Sequence, residues 1–332
     1  MTADALLPAL TTRSAGAAHG GVAHGGAAPD GTPPDGTTHP GAAGCPCEAA
    51  VLADRSDATV VRHGGIVAKA HADGTDPTAL ARRLATAARL PGILLPPLAP
   101  TAETLHGRLV TLWPHGTPVD PERPEAAPWE AAATLLARLH RSPAPAGLPA
   151  MRGPAKAARA VARLRATAPA HPAAPAVLGA WATLPAWARA EAPLPDSGTL
   201  CHGDLHLGQL VRHPAPHGPW LLIDVDDLGT GVPAWDLARP AAWFACGLLP
   251  PEEWTRFLTA YRAAGGPAVP AAGDPWPALD TAARALTAQT AALALAKASA
   301  AGRPLDEAEQ AVVDACDRMT GVPAELGDGA AP

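Results

Sequence analysis

Aromatic side chains are scarce in this chain: two Phe, one Tyr and nine Trp make up 4% of 332 residues. Charge is scarce too, at 17% against the usual ~25%. The space is filled by Ala, Gly and 40 Pro. That much proline means many loops and helix starts, and it argues against a large regular sheet. No basic excess exists: the formal net charge is −6, which excludes the field a nucleic-acid binder needs and leans weakly towards neutral or cationic small substrates. No apolar run approaches the ~18 uninterrupted residues of a membrane span. The N-terminus lacks a basic flank followed by an apolar core, so no secretory leader is expected and the cytoplasm is the expected location. Five cysteines, Cys45, Cys47, Cys201, Cys246 and Cys316, have neither an even count nor a framework spacing. They read as free thiols. Cys45-Pro-Cys47 is half a zinc site without a second Cys/His pair.

Against this plain background, two short runs concentrate carboxylate, imidazole and amide: CHGDLHLGQL at 201–210 and IDVDDLGTG at 223–231. Their setting can be read from the pattern. Residues 1–48 are Gly/Ala/Pro/His-rich and bury too little apolar area to offset chain entropy, so they read as a disordered tail. His19, His24 and His39 read as solvated residues of it. Removing residues 1–44 is then expected to leave stability unchanged. Residues 49–116 read as a small sheet lobe. ATVVRHGGIVAKAHA is a hairpin about Gly64-Gly65, Asp76-Pro77 opens a helix carrying Leu80, Leu84 and Leu90, and GRLVTLWP is a further strand. Residues 117–320 read as a helical lobe, with helices expected over 129–143, 154–168, 178–191, 251–264, 277–300 and 304–320 and a strand WLLID at 220–224. Residues 321–332 are again tail-like.

Phosphoryl transfer from a nucleotide asks the protein mainly to position groups and neutralise charge. It needs a carboxylate beside the attacking hydroxyl, oxygen ligands for a divalent cation, and a lysine on a strand for the donor's phosphates. Asp204 lies in a glycine-containing loop and is the candidate base. Gln209 offers an amide oxygen five residues later. Asp224 ends an apolar strand, which brings its carboxylate out at a sheet edge, and Lys69 sits in IVAK on the second hairpin strand. Asp226 and Asp227 read as turn residues, with Asp226 the alternative metal-site carboxylate. His206 either reaches the transferred group or faces solvent. Glu252, Glu253, Asp274 and Asp280 either attract an amine or are simply surface charge.

The run CHGDLHLGQL followed by IDVDDLGTGVPAWDLARP resembles the catalytic region of aminoglycoside phosphotransferases and their relatives, among them choline, fructosamine, homoserine and maltose kinases. Their pattern, HGDxxxxN, an Ile-Asp strand end, then G-x-P-x-x-D-L-A, falls on His202, Gly203, Asp204, Gln209, Ile223, Asp224, Gly231, Pro233, Asp236, Leu237 and Ala238. Gln209 stands where the family has Asn, and the HLGQ run is similar to the HGDxHLGQ of maltokinases, whose longer N-terminal cap region this chain replaces with its tail. The resemblance implies an α+β, protein-kinase-like two-lobed fold. It implies ATP and Mg2+ as cofactors and a small-molecule hydroxyl acceptor as partner, with no nucleic acid and no membrane. It gives Asp204 the role of catalytic base, with His206 beside it. Asp224 and Gln209 become metal ligands, Lys69 the phosphate lysine, and Leu112 and Trp113 part of the hinge that meets adenine. His202 and Asp236 become supports of the catalytic loop. The helix at 77–90 has no Glu to pair with Lys69, which leaves Glu103 as one candidate. The alternatives are a pseudokinase or binding module of the same fold, and a kinase acting on a peptide or natural-product intermediate.

Overall fold

The computed structural model describes residues 8–13, 49–55, 57–195 and 198–320. The chain divides into two compact units, one running to Thr117 with His213–Pro219 added, the other holding Pro118–Arg212 and the chain from Trp220 onward.

In the first unit β1 (Ala49–Asp54), β2 (Thr59–His63), β3 (Ile66–Ala70), β4 (Glu103–Leu105) and β5 (Arg108–Pro114) form an antiparallel sheet in the order β1-β2-β3-β5-β4. The hairpin turns at Gly64-Gly65, with His63 opposite Ile66 and Gly64 at φ 57°. That left-handed φ is the reason for glycine there. α2 (Pro77–Arg89) starts as its sequence indicates: Asp76 accepts from the N–H groups of Thr78 (2.8 Å) and Ala79 (3.3 Å), and Pro77 occupies the first turn. β6 (Thr117–Pro118) closes this part of the chain.

Residues 8–13, which the sequence places in the disordered tail, form a short helix, α1. Leu10 on it is completely buried with Val61, Ala68, Ala70 and Val110, and Arg13 pairs with Glu103 at 2.6 Å. One leucine on an otherwise featureless segment is enough to dock it, because the small side chains of Ala68 and Ala70 leave room on the sheet. The expectation that this segment buries nothing is therefore corrected, while residues 1–7 and 14–48, with Cys45, Cys47 and the three tail histidines, lie outside the described residues. Leu10→Ala in the full chain is expected to lower unfolding free energy by about 2–5 kcal/mol. A urea midpoint equal to wild type would show that α1 does not hold the sheet.

The second unit is mainly helical: α3 (Trp129–Arg141), α4 (Gly153–Thr167), α5 (Ala174–Ala182), α6 (Ala234–Ala245), α7 (Pro251–Ala263), α8 (Trp276–Ala301) and α9 (Glu307–Thr320). α8 is buried along most of its length by alanine and leucine. Two short antiparallel pairs interrupt the helices: β7 (Thr199–Cys201) with β10 (Gly229–Gly231), and β8 (Leu210–Arg212) with β9 (Trp220–Leu222). The helix expected over 178–191 is displaced to Ala174–Ala182, because Pro185 lacks an N–H and bars its predecessor from helical geometry. α6 was not expected at all: Pro233 starts it and Pro240 lies inside it, and proline in that pattern reads as loop. The strand expected to end on Asp224 stops at Leu222. The fold is the α+β, protein-kinase-like arrangement of a small antiparallel sheet lobe and a helical lobe. Among the described residues no helix is long and apolar enough to cross a membrane. Cys201, Cys246 and Cys316 are free thiols.

Candidate active site

The loop from His202 to Gln209 leaves β7 and enters β8, and one carboxylate anchors it. Asp236, completely enclosed in the first turn of α6, accepts from the backbone N–H of His202 (2.6 Å) through Oδ2 and of Gly203 (2.7 Å) through Oδ1. His140 Nε2 of α3 lies 3.0 Å from the same Oδ2, and His140 Nδ1 lies 2.7 Å from the Tyr261 hydroxyl, which also accepts from Ala268 N–H. The chain Tyr261–His140–Asp236 thus fixes the loop from beneath. Cys201 lies beside His140 and Asp236 at metal-ligating distances. Burial, then the charge of Asp236, raises its thiol far above the usual range, so it stays protonated and offers no thiolate. Gly203 has φ 86°, and a Cβ there would come within 2.3 Å of the Asp227 carbonyl oxygen. His202 Nε2 contacts the Ile223 carbonyl at 2.8 Å. His202 and Asp236 both brace the loop from inside the protein.

Asp204 points away from this support into a group of cations. Lys156 of α4 bonds its Oδ2, and Arg239 of α6 bonds its Oδ1 at 3.0 Å. Lys156 also reaches Asp227 Oδ2 (3.3 Å), while Arg152 lies 3.4 Å from Asp227 Oδ1. Burial alone would push the Asp204 carboxyl up, but Lys156 and Arg239 outweigh it and hold it below the usual carboxylate range. α4 is brought here by the segment before it: Met151 N–H donates to Thr230 O (2.9 Å) and Arg152 N–H to Asp227 O (3.2 Å). Trp235 packs on the start of α4, where a Cβ at Gly153 would lie 2.1 Å from its Nε1.

Gln209 and Asp224 lie at the same end of the β8–β9 hairpin, just outside its paired residues. Leu210 pairs with Leu222, and Ile223 N–H donates to the Gln209 carbonyl at 2.9 Å, so the residue after Ile223 emerges beside Gln209. Asp224 takes φ 63°, a left-handed conformation uncommon for a side-chain-bearing residue, and its Oδ1 accepts from Asp226 N–H at 3.3 Å. In the other unit, Lys69 pairs with Val60 and Thr111 and shares the sheet face of Trp113. Leu112 lies on the opposite face, against the Leu10 cluster, and its carbonyl accepts from Leu98 N–H at 2.8 Å. The Trp113 indole is buried and donates to Thr111 Oγ1 (2.8 Å), which makes it a packing residue in its side chain. The Glu103 carboxylate is taken by Arg13.

The profile of the phosphotransferase enzyme family, APH, matches residues 50–276, more than half of the chain. The chain belongs to this family. Solved structures similar to it include a choline kinase from Cryptosporidium parvum Iowa II (TM-score 0.56, 9% identity, 83% of this chain and 89% of that one). Others are an ethanolamine kinase from Plasmodium vivax (0.51, 11%, 81% and 82%) and a thermostable mutant of aminoglycoside phosphotransferase APH(4)-Ia in a ternary complex with AMP-PNP and hygromycin B (0.53, 15%, 82% and 93%). At such identities they speak for the fold alone. No curated protein matches the sequence.

For a phosphotransferase, the oxygens of Asp224 and Gln209 suit a hard divalent cation such as magnesium. Gln209 is buried. His206 is half-buried. Burial lowers its pKa to about 4, so at neutral pH the ring carries no charge to set against a phosphoryl group. The sign for stability follows. Below its ordinary value of 6.5 the unfolded chain takes up a proton that the folded loop refuses, so stability falls as pH drops from 6.5 towards 4. His206→Asn is expected to flatten that part of a urea-midpoint profile, and an unchanged slope would contradict the burial of the ring. Lys156, Arg152, His140 and Tyr261 lie outside the motif, and Arg239, inside its last run, matches no position of the pattern; only the unusual density of Arg and Lys at 152–165 hints at the first.

Proposed function

We propose that the protein is an ATP-dependent phosphotransferase that moves the γ-phosphoryl group to a hydroxyl of a small molecule. The observation that carries this reading is an ionised Asp204 on a loop braced by Asp236, followed along the chain by paired oxygen donors at Gln209 and Asp224. Asp204 orients the attacking hydroxyl and accepts its proton. Magnesium, held by Asp224 and Gln209, would offset phosphate charge. Lys69 is the candidate for the donor's α and β phosphates. The Leu112 carbonyl is engaged with Leu98, so adenine recognition on this strand falls to other backbone groups.

A pseudokinase reading rests on one observation: α2 has no acidic residue, and Glu103 is paired with Arg13. ADP release from ATP and magnesium across sugars, amino sugars, amino-alcohols and hydroxy acids separates the two. Stimulated release supports the kinase; nucleotide binding without release with any of them supports the binding module. Within the kinase reading, Gln209→Leu is expected to lose at least about tenfold in magnesium-dependent turnover, since an apolar group cannot ligate a hard cation. Gln209→Asn should keep part of it. A wild-type magnesium titration in Gln209→Leu would reduce the amide to a brace.

A further inference from the structure

The charge around Asp204 has the opposite sign to that of the chain. The protein carries −6 overall, yet Lys156, Arg239 and Arg152 gather around Asp204 and Asp227, with Arg239 Nε also donating to the Leu205 carbonyl at 3.2 Å. Three of the four acidic groups that might draw an amine are in use: Glu253 accepts from Trp129 Nε1 (2.7 Å), Asp274 accepts from Trp276 N–H (2.9 Å), and Asp280 pairs with Arg284 at 3.5 Å.

A second observation points the same way. Lys156, Arg239, Trp235 and Gln289 wall a small recess that opens on Asp204. Gln289, from the middle of α8, is 4% exposed and lines that recess. Any hydroxyl that takes a lone pair of Asp204 is also brought against the Lys156 ammonium or the Arg239 guanidinium. An acceptor with an ammonium near its hydroxyl meets like charge there, and an acceptor with an acid group gains two charge-assisted donors.

We propose, on the basis of the phosphotransferase reading, that the acceptor subsite lies where this recess opens on Asp204 and that its acceptor is a hydroxylated anion. The hydroxyl lies on Asp204, the carboxylate or phosphate of the acceptor takes Lys156 and Arg239, and Gln289 completes the wall. In the transfer, Asp204 takes the hydroxyl proton and the acceptor oxygen forms the new bond to the γ-phosphorus. The bond from that phosphorus to the β–γ bridging oxygen breaks, and ADP leaves with the electron pair.

The test uses three two-carbon probes of matched size: glycolate, ethylene glycol and ethanolamine. Each is titrated into the full-length protein with ATP and magnesium, and the concentration giving half of the change in ADP release is read, whether the probe is phosphorylated or displaces water. Glycolate is expected to act at roughly tenfold lower concentration than ethanolamine or better, the scale of a charge-assisted hydrogen bond, with ethylene glycol between them. Lys156→Gln should erase that order and Lys156→Arg restore it. Gln289→Leu should weaken glycolate by roughly 2–10-fold, the scale of a neutral hydrogen bond. An equal or better response to ethanolamine overturns the proposal, and so does no response to any probe. If Lys156→Gln slows ADP release with all three alike and keeps their order, Lys156 serves the donor's phosphate and the acceptor assignment is wrong. Wild-type protein that releases no ADP at all removes the phosphotransferase reading itself, and the proposal with it.

Discussion

Asp204→Asn is expected to bind ATP with nearly wild-type affinity and to turn it over roughly 10²–10⁴-fold more slowly, the usual contribution of a positioned general base. The amide keeps the shape of the carboxylate and can still accept from Arg239 or Lys156, while Asp227 remains as the other partner of Lys156. What it loses is the capacity to take the hydroxyl proton. Burial works against ionisation of Asp204, but the two cations prevail, so the wild-type base stays ionised below the ordinary carboxylate range of about 4. The acid limb of the turnover profile should therefore not set in until the pH falls below that range. Steady-state ADP release combined with ATP titration calorimetry makes the measurement. Near-wild-type turnover in the variant would remove Asp204 from the chemistry.

Asp236→Ala is expected to have the largest effect on stability. The carboxylate satisfies the N–H groups of His202 and Gly203 and one nitrogen of His140, all buried. Each buried group left without a partner costs about 1–3 kcal/mol. Their sum is a large share of the ~5–15 kcal/mol that holds a domain together. The variant should show a sharply lower urea midpoint and no measurable turnover. Tyr261→Phe leaves His140 Nδ1 and the Ala268 N–H without a partner and should cost about 1–3 kcal/mol for each. If Asp236→Ala unfolds at the wild-type midpoint, the loop is held by something other than this carboxylate.

The parts of the molecule legible in the sequence are those specified locally. The Gly64-Gly65 hairpin and the Asp76-Pro77 helix start each depend on neighbours in the chain, and each lies where its residues indicate. The parts that were not legible depend on distant contacts or on proline in unusual places. α6 is hidden by Pro240, whose missing N–H is tolerated in a packed helix. Leu10 looks like tail until Ala68 and Ala70 provide its seat. Lys156 and Arg239 reach Asp204 from 48 and 35 residues away, and no spacing rule connects them. Net charge says little about this site for the same reason: it averages over the surface, while the field at Asp204 is set by a few side chains within hydrogen-bonding distance.

The claim at the centre of this account is that a phosphoryl group passes from ATP to an alcohol oxygen. Phosphorus NMR of the full-length protein with ATP, magnesium and a set of hydroxylated acceptors that includes hydroxy acids tests it directly. The account predicts loss of the γ-phosphate resonance together with a new phosphomonoester resonance, both absent in Asp204→Asn. Intact ATP, or inorganic phosphate as the sole product with each acceptor, would contradict it.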